Sequence, residues 1–185
     1  QVLEFAWDGT YPKKKQWGLQ HPAVANDWVL LLDADEIVSA ELAAEARTLI
    51  STEGAVAYDI PLDYYFAGRR LRHGHRVSKR SLVNRRHVAF PVVDDLEAPG
   101  GNEVEGHYQP ECDGPVARTT STLVHDDPDP VSTWIDRHNR YAGWEAHLRS
   151  DPQRRLKVRG ARSRQGQLFD RAPAKPLMFF LFSYV

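Results

Sequence analysis

Residues 26–42 read NDWVLLLDADEIVSAEL. Trp28 to Leu32 form an unbroken apolar run, which predicts a buried strand. The run stops at Asp33, and Asp35 and Glu36 follow at once. Carboxylates gathered at the end of a buried strand repel one another unless something positive sits between them. Beyond them, Ser39 is a good N-cap for a helix through AELAAEARTLIS, with Glu41 in the first turn where the helix dipole favours an acid. Leu42, Ala46 and Leu49 would share the buried face of that helix. Strands mixed with helices in this order predict an α/β layered domain.

Upstream, VLEF reads as a short strand, followed by a turn at Asp8–Gly9 and a short basic helix after Pro12. Downstream, AVAYDIPLDYYF alternates as a strand does, AGRR makes a turn, and LRHGHRV returns as a hairpin. SLVNR and HVAF are further short strands, and EAPGGNEVEGHYQPECDG is loop-like. VARTTSTLVH is a strand of β-branched residues. DPVSTWIDRHNRYAGWEAHLRS is the best helix, with Val131, Trp134, Ile135, His138, Tyr141, Ala142 and Leu148 on one stripe. Its His138 reads as packed rather than chemical. Residues 1–150 therefore form the folded domain, and 151–185 a basic linker ending in the apolar PLMFFLFSYV.

The totals narrow the function. A chain of 185 residues supports one domain with a real core. A formal net charge of -1 argues against bulk binding to nucleic acid. The single cysteine, Cys112, excludes an internal disulfide and a cysteine-rich zinc site, which fits a cytoplasmic setting. No apolar run is long enough to span a bilayer. Lys13 to Lys15, the Arg154 to Arg164 run, and His73 and His75 beside Arg70, Arg72 and Arg76 are candidates for meeting phosphate, or plain solvated basic faces.

In open α/β sheets ligands bind beyond the carboxyl ends of the strands. Asp33 and Asp35, spaced by one residue, can there both reach one oxygen-loving cation such as Mg²⁺ or Mn²⁺. Such a metal bridges a diphosphate and stabilises a leaving phosphate. The plain alternative is a helix-capping turn with surface acids.

NDWVLLLDADEIVSAEL resembles the DxD segment of the inverting family 2 glycosyltransferases, and most of all the branch that includes lipopolysaccharide-core glucosyltransferases. KKQWGL (Lys14 to Leu19), YYFAGRRLRHG (Tyr64 to Gly74), RHNRYAGWEA (Arg137 to Ala146) and FFLFSYV also look like that branch. The resemblance implies a GT-A-like (Rossmann-like) mixed sheet flanked by helices. It implies a nucleotide-sugar donor and a glycan or lipid-linked acceptor in the assembly of bacterial envelope polysaccharide. Asp33 would face the donor sugar or ribose, with Lys14, Gln16 and Trp17 also substrate-binding. Asp35 would bind the metal, and His125 would be a further ligand; otherwise His125 is a residue of a turn in which Asp126, Asp127 and Asp129 cap the next helix. A catalytic carboxylate is implied in GGNEVEGHYQ, with Glu105 ranked first and Glu103 second, or else both are solvated loop acids. The apolar C-terminus would make peripheral contact with the inner face of the plasma membrane, or else it packs in the core. The family's first strand and nucleotide-binding loop are not in this sequence, so the chain reads as part of a longer protein.

Two other functions compete. A phosphohydrolase of the haloacid-dehalogenase type also ends a strand in DxD, with the first aspartate as nucleophile. A degenerate transferase domain would only bind.

Overall fold

The computed structural model describes residues 2–52, 54–73, 77–92, 109–153 and 156. It is a mixed α/β structure whose spine is the strand β3 (Ala57–Phe66). One edge of β3 pairs antiparallel with β5 (Ser78–Asn84) and, at its far end, with the short β4 (Arg69–Arg70). The other edge pairs in parallel, first with β8 (Val116–Arg118) and then with β9 (Leu123–Asp126). The sheet is completed by β1 (Trp28–Leu30), antiparallel on β5, and β2 (Glu36–Ile37), antiparallel on β9. Its order is β1-β5-β3-β9-β2. The remaining strands, β6 (Val88–Ala89) and β7 (Glu111–Cys112), form a separate ribbon.

Two apolar layers hold the sheet. On one face the helix α2 (Ala40–Leu49) lays Leu42, Ala46 and Leu49 against Tyr58, Ile60, Leu82 and Leu123. The Ser39 hydroxyl caps α2 by accepting from the Leu42 N–H at 3.1 Å, as the sequence predicts. Leu42 is fully buried, and truncating such a residue to alanine costs about 2–5 kcal/mol. The second layer gathers Leu19 of α1 (Lys14–Gln20) with Ala57, Val83, Val88 and Phe90. Gly114 lets β8 come in closely, since a Cβ there would stand 2.8 Å from Val56 Cγ1.

Several expected elements come out differently. Residues 2–8 form no strand; Phe5 instead packs on the Trp17 ring, 5.1 Å between centroids. The apolar run is a strand only over Trp28–Leu30, and Leu32 is largely exposed. The β-branched stretch breaks at 119–122, where Glu45 of α2 accepts the Thr120 and Ser121 N–H groups, both at 2.8 Å. The hairpin closes sooner than expected, with Ala67 and Gly68 both at positive φ and Arg69 facing Phe66.

The long helix α3 (Val131–Ser150) is present, but its stripe is not a core face: Val131 and Ile135 are 46% and 56% exposed. His138 is likewise exposed, its ring stacked on Trp134 at 3.7 Å. Nor do the aspartates cap α3, whose N-cap is Pro130 without a side-chain bond. Asp127 and Asp129 grip Arg137 instead, at 2.7 and 2.6 Å. Glu103, Glu105, His75, Arg76, the Arg154 to Arg164 run (apart from Leu156) and PLMFFLFSYV lie outside the described residues. No helix among the described residues is long and apolar enough to cross a membrane.

Candidate functional site

Topology puts the acidic turn across one end of the sheet. Residues 31–35 carry the chain from β1 at one side of the sheet to β2 at the other, across the ends of β5, β3 and β9. At that end stand Lys79 of β5, which bonds the turn, His125 of β9, which lies beside Asp35, and Tyr64 of β3, whose ring meets that of His125. The ladder sets Tyr64 opposite His125, and His125 opposite Glu36, in one row.

The positive charge that the carboxylates need comes partly from the chain itself. Lys79 Nζ donates to Asp33 Oδ2 at 2.7 Å and to Glu36 Oε1 and Oε2 at 2.8 and 2.7 Å. Lys15 of α1 approaches the other Asp33 oxygen at 3.2 Å. Glu36 is almost fully buried, its side chain 1% exposed, and it also accepts the Asp33 N–H at 2.7 Å. Burial pushes the Asp33 carboxyl up, but Lys79 and Lys15 outweigh that and hold it below the usual carboxylate range.

Asp35 stands apart from this network. Its Oδ2 is 3.7 Å from His125 Nε2, beyond a good hydrogen bond. Its Oδ1 and His125 Nδ1 are buried without a hydrogen-bond partner among the described residues. The backbone is nevertheless fixed, since the Asp126 N–H donates to the Asp35 carbonyl at 2.9 Å. The Tyr64 ring meets the His125 ring edge-on at 4.6 Å. Burial raises the Tyr64 phenol, and the charges of Glu36, Asp35 and Asp33 raise it further, so Tyr64 stays a neutral donor. Asp127 is lowered by the Asp129 N–H first, and then by Arg137 and His125.

These residues fit a divalent cation in part. A carboxylate oxygen and an imidazole nitrogen 3.7 Å apart can both lie at about 2.1 Å from one ion. An orphaned buried carboxylate oxygen beside them is what an ion would satisfy. Among the described residues no group of three or more His, Cys, Asp or Glu side chains forms a metal cage. An ion here would complete its shell with water or with phosphate oxygens, the usual habit of Mg²⁺.

The expected substrate-binding residues are distributed as follows. Asp33 is in the site, with its oxygens on lysines. Gln16 is buried and its Oε1 accepts the Phe90 N–H at 2.6 Å, so its acceptor is committed to the fold. Trp17 packs between Phe5 and His21. Lys14 is exposed, and its neighbour Lys15 is the lysine of α1 that reaches Asp33. The sequence reading missed Lys79. Its signal was the demand for a counter-ion itself, together with a lysine inside the strand-like SKRSLVN.

Comparison with protein-family models, with curated proteins and with solved structures finds no match to this chain.

Proposed function

We propose that the chain carries the metal and diphosphate side of an inverting glycosyltransferase on a GT-A-like frame. The donor is a nucleotide-diphosphate sugar and the acceptor a hydroxyl of a glycan or lipid-linked glycan. The observation that carries this reading is the pairing of Asp35 with His125, two metal-ligating side chains 3.7 Å apart across the end of the sheet. Mg²⁺ or Mn²⁺ bound by them would offset the charge of the leaving diphosphate. Asp33, kept ionised by its lysines, accepts hydrogen bonds from the donor's hydroxyls. Glu105, or Glu103 in its place, takes the proton of the acceptor hydroxyl as that oxygen attacks the anomeric carbon. The bond to the diphosphate breaks on the opposite face, which inverts the centre and releases the nucleoside diphosphate.

The phosphohydrolase reading asks Asp33 to be a nucleophile. A carboxylate with an ammonium group on each oxygen is a weakened one. The deciding assay follows nucleoside diphosphate release and sugar transfer from nucleotide sugars to hydroxyl acceptors. Glu105→Gln should cut transfer by about a hundred- to ten-thousand-fold. The same loss in Glu103→Gln alone would move the base by two residues. Phosphate release from simple phosphoesters without any transfer would replace the reading.

A further inference from the structure

Lys79 reaches the acidic turn because β5 is irregular. Tyr58 faces Leu82 and Asp59 faces Arg80, so Ser81 is an extra residue bulged out of the ladder. The bulge sets Lys79 opposite Ile60, on the face covered by α2, rather than on the face of Val83. There its side chain is 13% exposed and lies against two carboxylates. The charges of the site then divide unevenly. Asp33, Asp35 and Glu36 carry three negative charges and Lys15 and Lys79 two positive ones, which leaves one negative charge with His125 neutral. Both lysines sit on Asp33 and Glu36, so the uncompensated charge is at Asp35.

We propose that Lys79 is a positioning residue that decides which aspartate receives the metal: it holds Asp33 and Glu36 away from the ion and leaves the ion to Asp35 and His125. This rests on the metal-dependent reading above. Lys79 and Lys15 occupy the two oxygens of Asp33, and Lys79 is the cation on Glu36. Without the Lys79 ammonium the site is more negative, and Asp33 Oδ2 and Glu36 are left without their cation beside the ion. Loss of Lys79 therefore tightens binding of the bare ion, whereas loss of a merely structural residue would weaken it.

The test is Mn²⁺ titration of the chain, followed by calorimetry and by the electron-paramagnetic signal of free Mn²⁺, with no nucleotide present. Lys79→Met should bind Mn²⁺ about tenfold more tightly or better. Because it strands the buried Glu36 charge, the double variant Lys79→Met with Glu36→Gln is measured beside it; it keeps the parent's net charge and should bind more tightly than the parent but by less than Lys79→Met, since only the release of Asp33 Oδ2 remains. Lys79→Arg keeps the charge and should bind as the unsubstituted chain does. Unchanged or weaker binding in a folded Lys79→Met or double variant overturns the proposal, as does tighter binding in Lys79→Arg. If the unsubstituted chain takes no Mn²⁺, the metal-dependent reading falls. The role of Lys79 is then judged on the variants alone, which must gain binding that the parent lacks.

Discussion

The Asp33 oxygens lie against Lys15 and Lys79, while an oxygen of its near neighbour Asp35 lies buried and unbonded among the described residues. One intervening residue turns these carboxylates into different environments, and environment decides what a carboxylate can do. Ser81 is instructive at the same scale. It is fully buried, and its hydroxyl has no partner among the described residues. A buried hydroxyl left unbonded costs free energy without return. Ser81→Ala should leave stability unchanged or raise it by about 1 kcal/mol in urea unfolding. A loss of that size would mean that the hydroxyl is bonded after all.

Among the elements, α2 ties the parallel strands together through Glu45. Its carboxylate accepts from the Thr120 and Ser121 N–H groups and from the Thr120 hydroxyl, bridging the break between β8 and β9. Burial raises the Glu45 carboxyl, but these bonds overcome it and bring it down to about 2 from an ordinary 4.5. A depressed carboxylate stabilises the fold above its unfolded value and loses that contribution as pH falls through the folded one. Stability from Glu45 is thus complete above pH 4.5 and lost on the way down to about 2. Glu45→Gln should lower stability at pH 7 by about 0.5–1 kcal/mol, since solvent screens this partly exposed carboxylate, and should flatten the acid limb of the stability curve. Parallel acid limbs in the two proteins would show that Glu45 contributes nothing to acid stability.

Much of this element scale is readable in the sequence. Ser39 announced α2, and the spacing of Leu42, Ala46 and Leu49 gave its buried face. β3 was legible from its alternation, and the second half of β5 as the short strand SLVNR. The β8–β9 break was not, because its cause is a glutamate some seventy positions upstream, where no local pattern records it. The stripe on α3 misled for a related reason. Periodicity shows that a face is apolar, but only the neighbouring elements decide whether it is covered, and Val131 and Ile135 are not.

For the whole molecule, the short link between β1 and β2 is the organising fact. It draws the acidic turn across the sheet end and brings residues 33, 64, 79 and 125 together. The acidic turn, Asp35 and His125 could be named from the sequence as residue types. Their pairing required the β9 register, and Lys79 required the Ser81 bulge; both are long-range facts. The proposed role of Asp35 and His125 is to hold a divalent cation that in turn holds a diphosphate. Calorimetric titration with a panel of nucleoside diphosphates, with and without Mn²⁺, tests it most directly, using the unsubstituted chain and Asp35→Asn. Nucleotide binding should require Mn²⁺ and be abolished in a folded Asp35→Asn. Equal Mn²⁺-dependent affinity in the two proteins would contradict it.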